Sequence, residues 1–122
     1  MVQQIVVTIT TTKLEASIAF YTGVLKFSVK DRIELPSGVT LVFLNSNGFI
    51  VELVCGPHIP GGEIGSGAPL LTFMVPDFND IDHQLANAGI DLPKSIKLPR
   101  GEEMMRFKDP NGVVISFVAG QF

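Results

Sequence analysis

The sequence predicts an α+β fold made of two β-α-β-β-β modules in tandem. The first observation is a repeat, because FLNSNGFIVELV starts at Phe43 and the similar FKDPNGVVISFV starts at Phe107, 64 positions later (107 − 43). The second is that each half has a β-branched or apolar run followed by apolar residues at helical spacing. Since three extended segments follow in both halves, we interpret the chain as two copies of one structural unit.

The first module opens with a strand and a helix. The β-branched run IVVTITT at 5–11 predicts the strand, and Thr12 to Glu15 has the form of a capping box that starts the helix. The predicted apolar stripe of this helix consists of Leu14, Ile18, Tyr21 and Leu25. Turn-forming residues then separate three predicted strands, at about 27–34, 39–45 and 49–55.

The second module repeats this order. A strand is predicted from Pro69 to Val75, followed by a helix with Asp77 as its N-cap and Gly89 as its end. The apolar stripe of this helix consists of Phe78, Ile81, Leu85 and Ala88. Three more strands are predicted near 92–98, 102–108 and 113–118. We therefore divide a single domain, 1–122, into module one at 1–55, a glycine-rich loop at 56–67 and module two at 68–122.

The composition narrows the classes of function. The nine Lys and Arg residues are scattered and the net charge is −3, which argues against a nucleic-acid partner. A single cysteine forms no internal disulfide, and the sequence shows neither a signal peptide nor a membrane span, so we expect a cytoplasmic protein. Apolar residues make up 46% and charged residues 17% of the chain, which favours an apolar pocket or a self-association surface.

Alternation along the strands predicts one apolar face and one more polar, mixed face for each sheet. The apolar face of the first strand carries Ile5, Val7 and Ile9, and its mixed face carries Val6, Thr8 and Thr10. Glu52 and Ser116 lie on the mixed faces of the last strand of each module. The apolar faces are expected to pack under the helices. The mixed faces need another cover, either the opposite module or a bound ligand.

Two segments, KLEASIAFY at 13–21 and DPNGVVIS at 109–116, together with the order of elements, carry a family resemblance. The chain resembles the glyoxalase/bleomycin resistance/dioxygenase family, also called the vicinal oxygen chelate superfamily. The resemblance implies that the two modules curl their sheets into one cup-like mixed sheet with the helices outside, and that a ligand binds in the cup. It also implies a homodimer, since members of this family commonly pair.

Metal-using members of that family place ligands on the first and fourth strands of each module. Carried onto this sequence, these positions are Val6, Glu52, Leu70 and Ser116. Of these four, Glu52 alone is a good ligand for a divalent cation, which requires several oxygen or nitrogen donors. We therefore predict a protein with no metal and no cofactor that binds a small organic molecule in its cup.

Eight residues are the candidate ligand-binding set, namely Val6, Thr8, Glu52, Leu70, Thr72, Met104, Arg106 and Ser116. Glu52 is a candidate acid/base and also a candidate ion-pair partner of Arg106, whereas a free Arg106 would favour an anionic ligand. The threonine and serine hydroxyls would orient the ligand, and Met104 would give an adaptable apolar wall. His58, next to the cup, is a weaker candidate.

Three alternative functions remain open at the level of sequence. One is a metal-dependent lyase, isomerase or dioxygenase, which would use Glu52 and donors outside the four aligned positions. Another is a metal-free enzyme that uses Glu52 as acid or base beside Arg106. The third is a subunit whose apolar surface serves assembly alone.

Overall fold

A computed structural model of the 122-residue chain describes residues 4–57 and 71–120. The chain divides into two compact units, Met1–Glu63 and Ile64–Phe122. Each unit contains one four-stranded mixed sheet and one α-helix. This arrangement confirms the predicted α+β fold of two β-α-β-β-β modules. Neither helix in the described residues has the length and apolarity needed to cross a membrane.

The first unit follows the predicted element order. Its elements are β1 (Val6–Thr10), α1 (Leu14–Gly23), β2 (Ser28–Glu34), β3 (Thr40–Ser46) and β4 (Phe49–Cys55). The strands lie in the order β1-β4-β3-β2, with β1 parallel to β4 and the other neighbours antiparallel. Helix α1 packs against β4, which places the helix over one face of the sheet.

The second unit repeats this topology with one shorter strand. Its elements are β5 (Leu71–Val75), α2 (Asn79–Asn87), β6 (Ile96–Lys97), β7 (Glu103–Lys108) and β8 (Val114–Ala119). The strand order is β5-β8-β7-β6, and β5 is parallel to β8. Strand β6 has two residues, so the predicted strand at 92–98 was too long. Pro93 explains part of the difference, since proline has no N–H to give to a strand ladder.

The start of α1 differs from the predicted capping box. The N-cap residue is Lys13, without a side-chain cap, and the Lys13 amide donates to Thr11 Oγ1 at 2.8 Å. Thr12 is exposed, whereas Thr11 is buried and exchanges a further hydrogen bond of 3.2 Å with Ser17. The predicted role of Thr12 was therefore wrong by one residue. Glu15, expected to reach back to the cap, instead pairs with Arg32 on β2.

The buried stripe of α1 is also rotated from the predicted one. Its buried residues are Ser17, Phe20 and Tyr21, and Val24 after the helix is buried too. Of the predicted stripe, Tyr21 is buried, while Leu14, Ile18 and Leu25 are half-buried. The aromatic rings decide the orientation, because Tyr21 makes edge-to-face contacts with Phe20 and Phe27 and these rings bury more apolar area than the leucines.

The prediction for α2 agrees better with the structure. Ile81 and Leu85 are buried as expected, although Phe78 is half-buried and Ala88 exposed. The N-cap position belongs to Phe78, but the Asp77 carboxylate accepts from the amide of Asn79 at 2.9 Å and so satisfies one free N–H of the first turn. Gly89 follows the helix with a φ of 72°, a conformation that favours glycine, as predicted for its end.

Each sheet has one apolar, buried face and one mixed face, as the alternation of residues predicted. Ile5, however, was expected on the apolar face but lies before β1 and is 66% exposed, and three residues of the mixed faces, Ile50, Ser116 and Val118, are buried as well. In the first unit the buried face carries Ile9, Val42, Leu44, Val51 and Leu53. In the second unit it carries Leu71, Met105, Ile115 and Phe117. The mixed faces consist of the intervening residues of the same strands, and they hold the candidate site residues.

The two copies of the final hairpin differ by one residue in register. Asn47 and Gly48 connect Ser46 to its partner Phe49 in a two-residue loop, which is typical of Asn-Gly hairpins. In the second unit the Asp109 amide donates to the Val113 carbonyl at 2.9 Å, which leaves three residues in the loop. The offset of 64 therefore holds for the last strand but becomes 63 for the strand before it.

Candidate ligand-binding site

In the first unit, three residues form a row across neighbouring strands of the mixed face. Thr8 on β1 lies beside Glu52 on β4, and Glu52 lies beside Phe43 on β3. The Thr8 hydroxyl donates a hydrogen bond of 2.7 Å to Glu52 Oε1. Glu52 is half-buried and Thr8 is exposed, so a fixed carboxylate is presented on this face. We call these three residues the acidic row.

In the second unit, the equivalent row carries the opposite charge. Thr72 on β5 lies beside Ser116 on β8, and Ser116 lies beside Arg106 on β7. Arg106 Nε donates a hydrogen bond of 3.0 Å to Ser116 Oγ. Ser116 is 1% exposed, whereas Thr72 and Arg106 are exposed. We call these three residues the basic row.

The offset of 64 makes Phe107 the sequence counterpart of Phe43, but the two residues lie on different faces of their sheets. Phe43 pairs with Glu52, but the residue that pairs with Ser116 is Arg106 (106 − 43 = 63). Phe107 instead pairs with Ile115 on the buried face. The extra loop residue of the second hairpin therefore puts a guanidinium where the first unit has a phenyl ring. The Asp-Pro-Asn-Gly sequence of the loop was the signal that could have revealed this shift.

An apolar row lies next to the basic row on the same face. Met74 on β5, Val118 on β8 and Met104 on β7 are neighbours in register, and Ile96 on β6 continues the row. Val118 is buried, Met104 half-buried, and Met74 and Ile96 exposed. Because successive rows on one face are two residues apart, this row lies about 7 Å along the strands from the basic row.

The residues at the four family positions do not fit a divalent metal ion. Val6 has no donor atom, and its side chain is 45% exposed beside Ile50 on β4. Ser116 Oγ already accepts a hydrogen bond from a guanidinium, whose positive charge would oppose a metal cation at the same oxygen. Leu70 lies outside the described residues. In the two described stretches, no three His, Cys, Asp or Glu side chains are grouped as a metal site would require.

The remaining candidates are placed as follows. Glu52 and Arg106 belong to different units, and their direct pairing stays a prediction. His58 lies outside the described residues.

A cavity that the sequence did not indicate lies on the helix side of the second sheet. It has a volume of about 480 Å³, and its walls include Phe78, Leu92 and Met105. Three carboxylates also line this cavity, those of Asp77, Asp82 and Glu103. Met105 faces this cavity, whereas Arg106, the next residue on β7, faces the opposite side of the sheet.

Comparison with known proteins gives one family. The model of the Glyoxalase/Bleomycin resistance protein/Dioxygenase superfamily matches residues 3–117. No curated protein matches the sequence.

Several solved structures resemble the chain in fold. Glyoxalase I from Zea mays has a TM-score of 0.84 at 16% identity, over 98% of this chain and 45% of the maize chain. A glyoxylase/bleomycin resistance protein/dioxygenase domain from Frankia sp. EAN1pec has a TM-score of 0.81 at 19% identity, covering 99% of this chain and 93% of that one. For a glyoxalase family protein from Enterococcus faecalis the values are 0.75 and 19%, with 97% and 96% covered.

Proposed function

Because this chain belongs to the glyoxalase/bleomycin resistance protein/dioxygenase superfamily, we propose that it binds a small organic molecule without the help of a metal ion. In this proposal the ligand binds against the mixed faces of the sheets, and the protein is cytoplasmic. The hydrogen bond from Arg106 Nε to Ser116 Oγ supports this proposal most directly. At a position where metal-using relatives carry a metal ligand, this chain has an oxygen that already accepts from a cation.

The absence of metal dependence is tested by elemental analysis and by thermal unfolding with Mn²⁺, Fe²⁺, Ni²⁺ and Zn²⁺. We expect substoichiometric metal in the purified protein and a change in melting temperature of about 1 °C or less, because a ligand stabilises the folded state only as far as it binds. Stoichiometric metal that raises the melting temperature by several degrees, and is lost in Glu52→Gln, would contradict the proposal.

Ligand binding is tested by a thermal-unfolding screen of small metabolites and antibiotics. A sequestering role similar to bleomycin resistance is one form of this function. The chain contains no Trp and one Tyr, which favours ligands smaller than the large planar drugs that stack on aromatic rings. We expect at least one hit whose stabilisation decreases in Glu52→Gln or Arg106→Gln. The exposed, ion-paired Arg32 gives the control variant Arg32→Gln, which should bind normally.

A second candidate function is metal-free acid/base catalysis by Glu52. It is favoured by the 2.7 Å bond from Thr8, which fixes one carboxylate oxygen of Glu52. Any hit from the screen can be incubated with the protein and followed by mass spectrometry. Turnover that Glu52→Gln abolishes, with binding of the hit retained, would establish catalysis. If the compound is bound and recovered unchanged, the protein binds it without catalysing a reaction, and the acid/base function is rejected.

A further inference from the structure

We infer that the basic row and the apolar row of the second unit together recognise an organic oxyanion with an apolar body, a carboxylate or a phosphate monoester on an aliphatic or aromatic chain. This inference deepens the proposed function and rests on it, since it names the chemical class of the ligand. Three observations support it: the hydrogen bond that holds Arg106, the apolar residues beside Arg106, and the negative charge of the cavity on the opposite side of the sheet.

Arg106 is held through its Nε, which leaves the two terminal nitrogens of its guanidinium for a ligand. Its Nε donates to Ser116 Oγ, which is nearly fully buried on the central strand β8 and therefore gives a rigid anchor. In the described part of the chain, Nη1 and Nη2 have no hydrogen-bond partner. These two nitrogens form a planar fork that matches two oxygens of a carboxylate or phosphate.

The charge of Arg106 is also available. Within the described part of the second unit, Arg100 forms an ion pair with Glu102 at 2.7 Å just before β7, and Arg106 forms none there. Thr72, exposed two strands away in the same row, adds a hydroxyl donor for a further ligand oxygen. The basic row therefore offers a cation and a hydroxyl and no carboxylate.

The apolar row gives the rest of the ligand a surface. Met74, Met104 and Ile96 are half-buried or exposed, and they lie about 7 Å from the basic row along the strands. A ligand whose oxyanion is bound at the basic row therefore needs a chain of roughly six carbons to reach the apolar row. Methionine side chains adapt to the shape of an apolar partner, so the site selects charge and length more than exact shape.

The cavity on the helix side of the same sheet is unsuited to an anion. Asp77, Asp82 and Glu103 line it, and like charges would repel a carboxylate. Met105 lines that cavity, whereas its neighbour Met104 lies in the apolar row. The two adjacent methionines therefore report on opposite sides of one sheet, which gives the experiment an internal control.

The test uses five compounds, namely octanoate, octyl phosphate, octanamide, octylamine and acetate. Binding is measured by isothermal titration calorimetry, and the site is located by NMR of methyl-labelled methionines. We expect octanoate or octyl phosphate to shift the methyl signals of Met74 and Met104 and to leave Met105 unchanged. Octanamide, octylamine and acetate should bind at least about tenfold more weakly, since each lacks the anion or the apolar chain.

Arg106→Gln should weaken binding of the anionic probe roughly tenfold to hundredfold, the range for losing a charge-assisted hydrogen bond. Arg32→Gln changes the net charge equally and should leave binding unaltered. Arg106 is exposed, so Arg106→Gln should fold, which circular dichroism checks. If it does not fold, Arg106→Lys serves instead, because it keeps the charge, loses the fork and should weaken binding at least about threefold.

Other results would overturn the inference. Equal binding of octanamide or octylamine, or a shift of Met105 in place of Met104, would show that the second unit does not recognise an anion on its mixed face. Equal binding of octanamide or octylamine would leave the proposed function standing, whereas a Met105 shift would move the ligand from the mixed face to the cavity on the helix side. Failure of all five compounds would remove the oxyanion inference, while the wider screen with Glu52→Gln decides the proposed function separately.

Discussion

At the scale of single residues, the rows of the two modules occupy corresponding strands but carry opposite charges. Thr8 and Thr72 occupy the same position in their rows, but the acidic row centres on Glu52 and the basic row on the pair Ser116–Arg106. In both rows a hydroxyl fixes the charged group through a hydrogen bond, so each is preorganised before any ligand arrives.

A residue-scale prediction concerns Asp109, which is 5% exposed in the loop of the second hairpin. Its Oδ1 accepts from the amides of Asn111 and Val113, each at 2.8 Å. Asp109→Ala leaves both amides without this acceptor, and should lower the free energy of unfolding by about 2–4 kcal/mol in urea denaturation. Asp109→Asn keeps an acceptor oxygen and should lose clearly less. Equal losses would mean that the hydrogen bonds are not the cause.

At the scale of secondary-structure elements, the face of a strand decides what its residues do. Strand β4 alternates between the buried face under α1 and the mixed face that carries Glu52. Leu53 is fully buried and belongs to the first, while its neighbour Val54 is half-buried and belongs to the second.

Truncation of these two neighbours should have very different effects. Leu53→Ala should lower the free energy of unfolding by about 2–5 kcal/mol, the range for a buried leucine that leaves a cavity. Val54→Ala should cost about 1 kcal/mol or less, because its side chain already meets solvent on the mixed face. Urea denaturation of both variants checks this, and a Val54 loss as large as that of Leu53 would contradict the assignment of faces.

Two glycines, one just before β4 and one just after it, allow a similar contrast. A Cβ on Gly56, where φ is 156°, would lie 2.7 Å from the Val39 backbone, while one on Gly48, where φ is 83°, would meet open space. Gly48→Ala should cost about 1–2 kcal/mol from the left-handed backbone alone. Gly56→Ala adds a backbone clash and should cost more, and differential scanning calorimetry would rank them. A milder effect at Gly56 would mean that β3 and β4 separate easily there.

At the scale of the whole molecule, the chain exposes large apolar side chains in both units. Ile5 is 66%, Val29 51% and Leu92 54% exposed. Such surface favours self-association, and we expect the homodimer that the family resemblance implied.

Sedimentation equilibrium should give about twice the 13.2 kDa of one chain at micromolar concentration. Replacing Ile5 with lysine would put a charge on the most exposed of these side chains, and should shift the equilibrium toward the monomer if Ile5 lies at the interface. Thr12→Lys, also exposed and in the same unit, is the matched control for the added charge. A monomer at all concentrations would refute the dimer.

The fold class, the order of the elements and the two faces of each sheet could be predicted from the sequence. These features depend on local periodicity and on turn residues. Because the two halves are similar, each element could be predicted from two separate segments of the sequence. The strand at 49–55 was predicted at its observed bounds for this reason. Thr12 failed as a cap because which of two adjacent threonines turns inward depends on the packing of Ser17 beneath it.

By itself, then, the sequence determined two β-α-β-β-β modules and showed that Glu52 is the one good metal ligand at the four positions where metal-using relatives carry ligands. The tertiary structure decided which side chains stand together in a row. One additional loop residue moved β7 by one position against β8, and in a sheet a shift of one residue exchanges the two faces. For this reason Arg106, and not Phe107, stands beside Ser116.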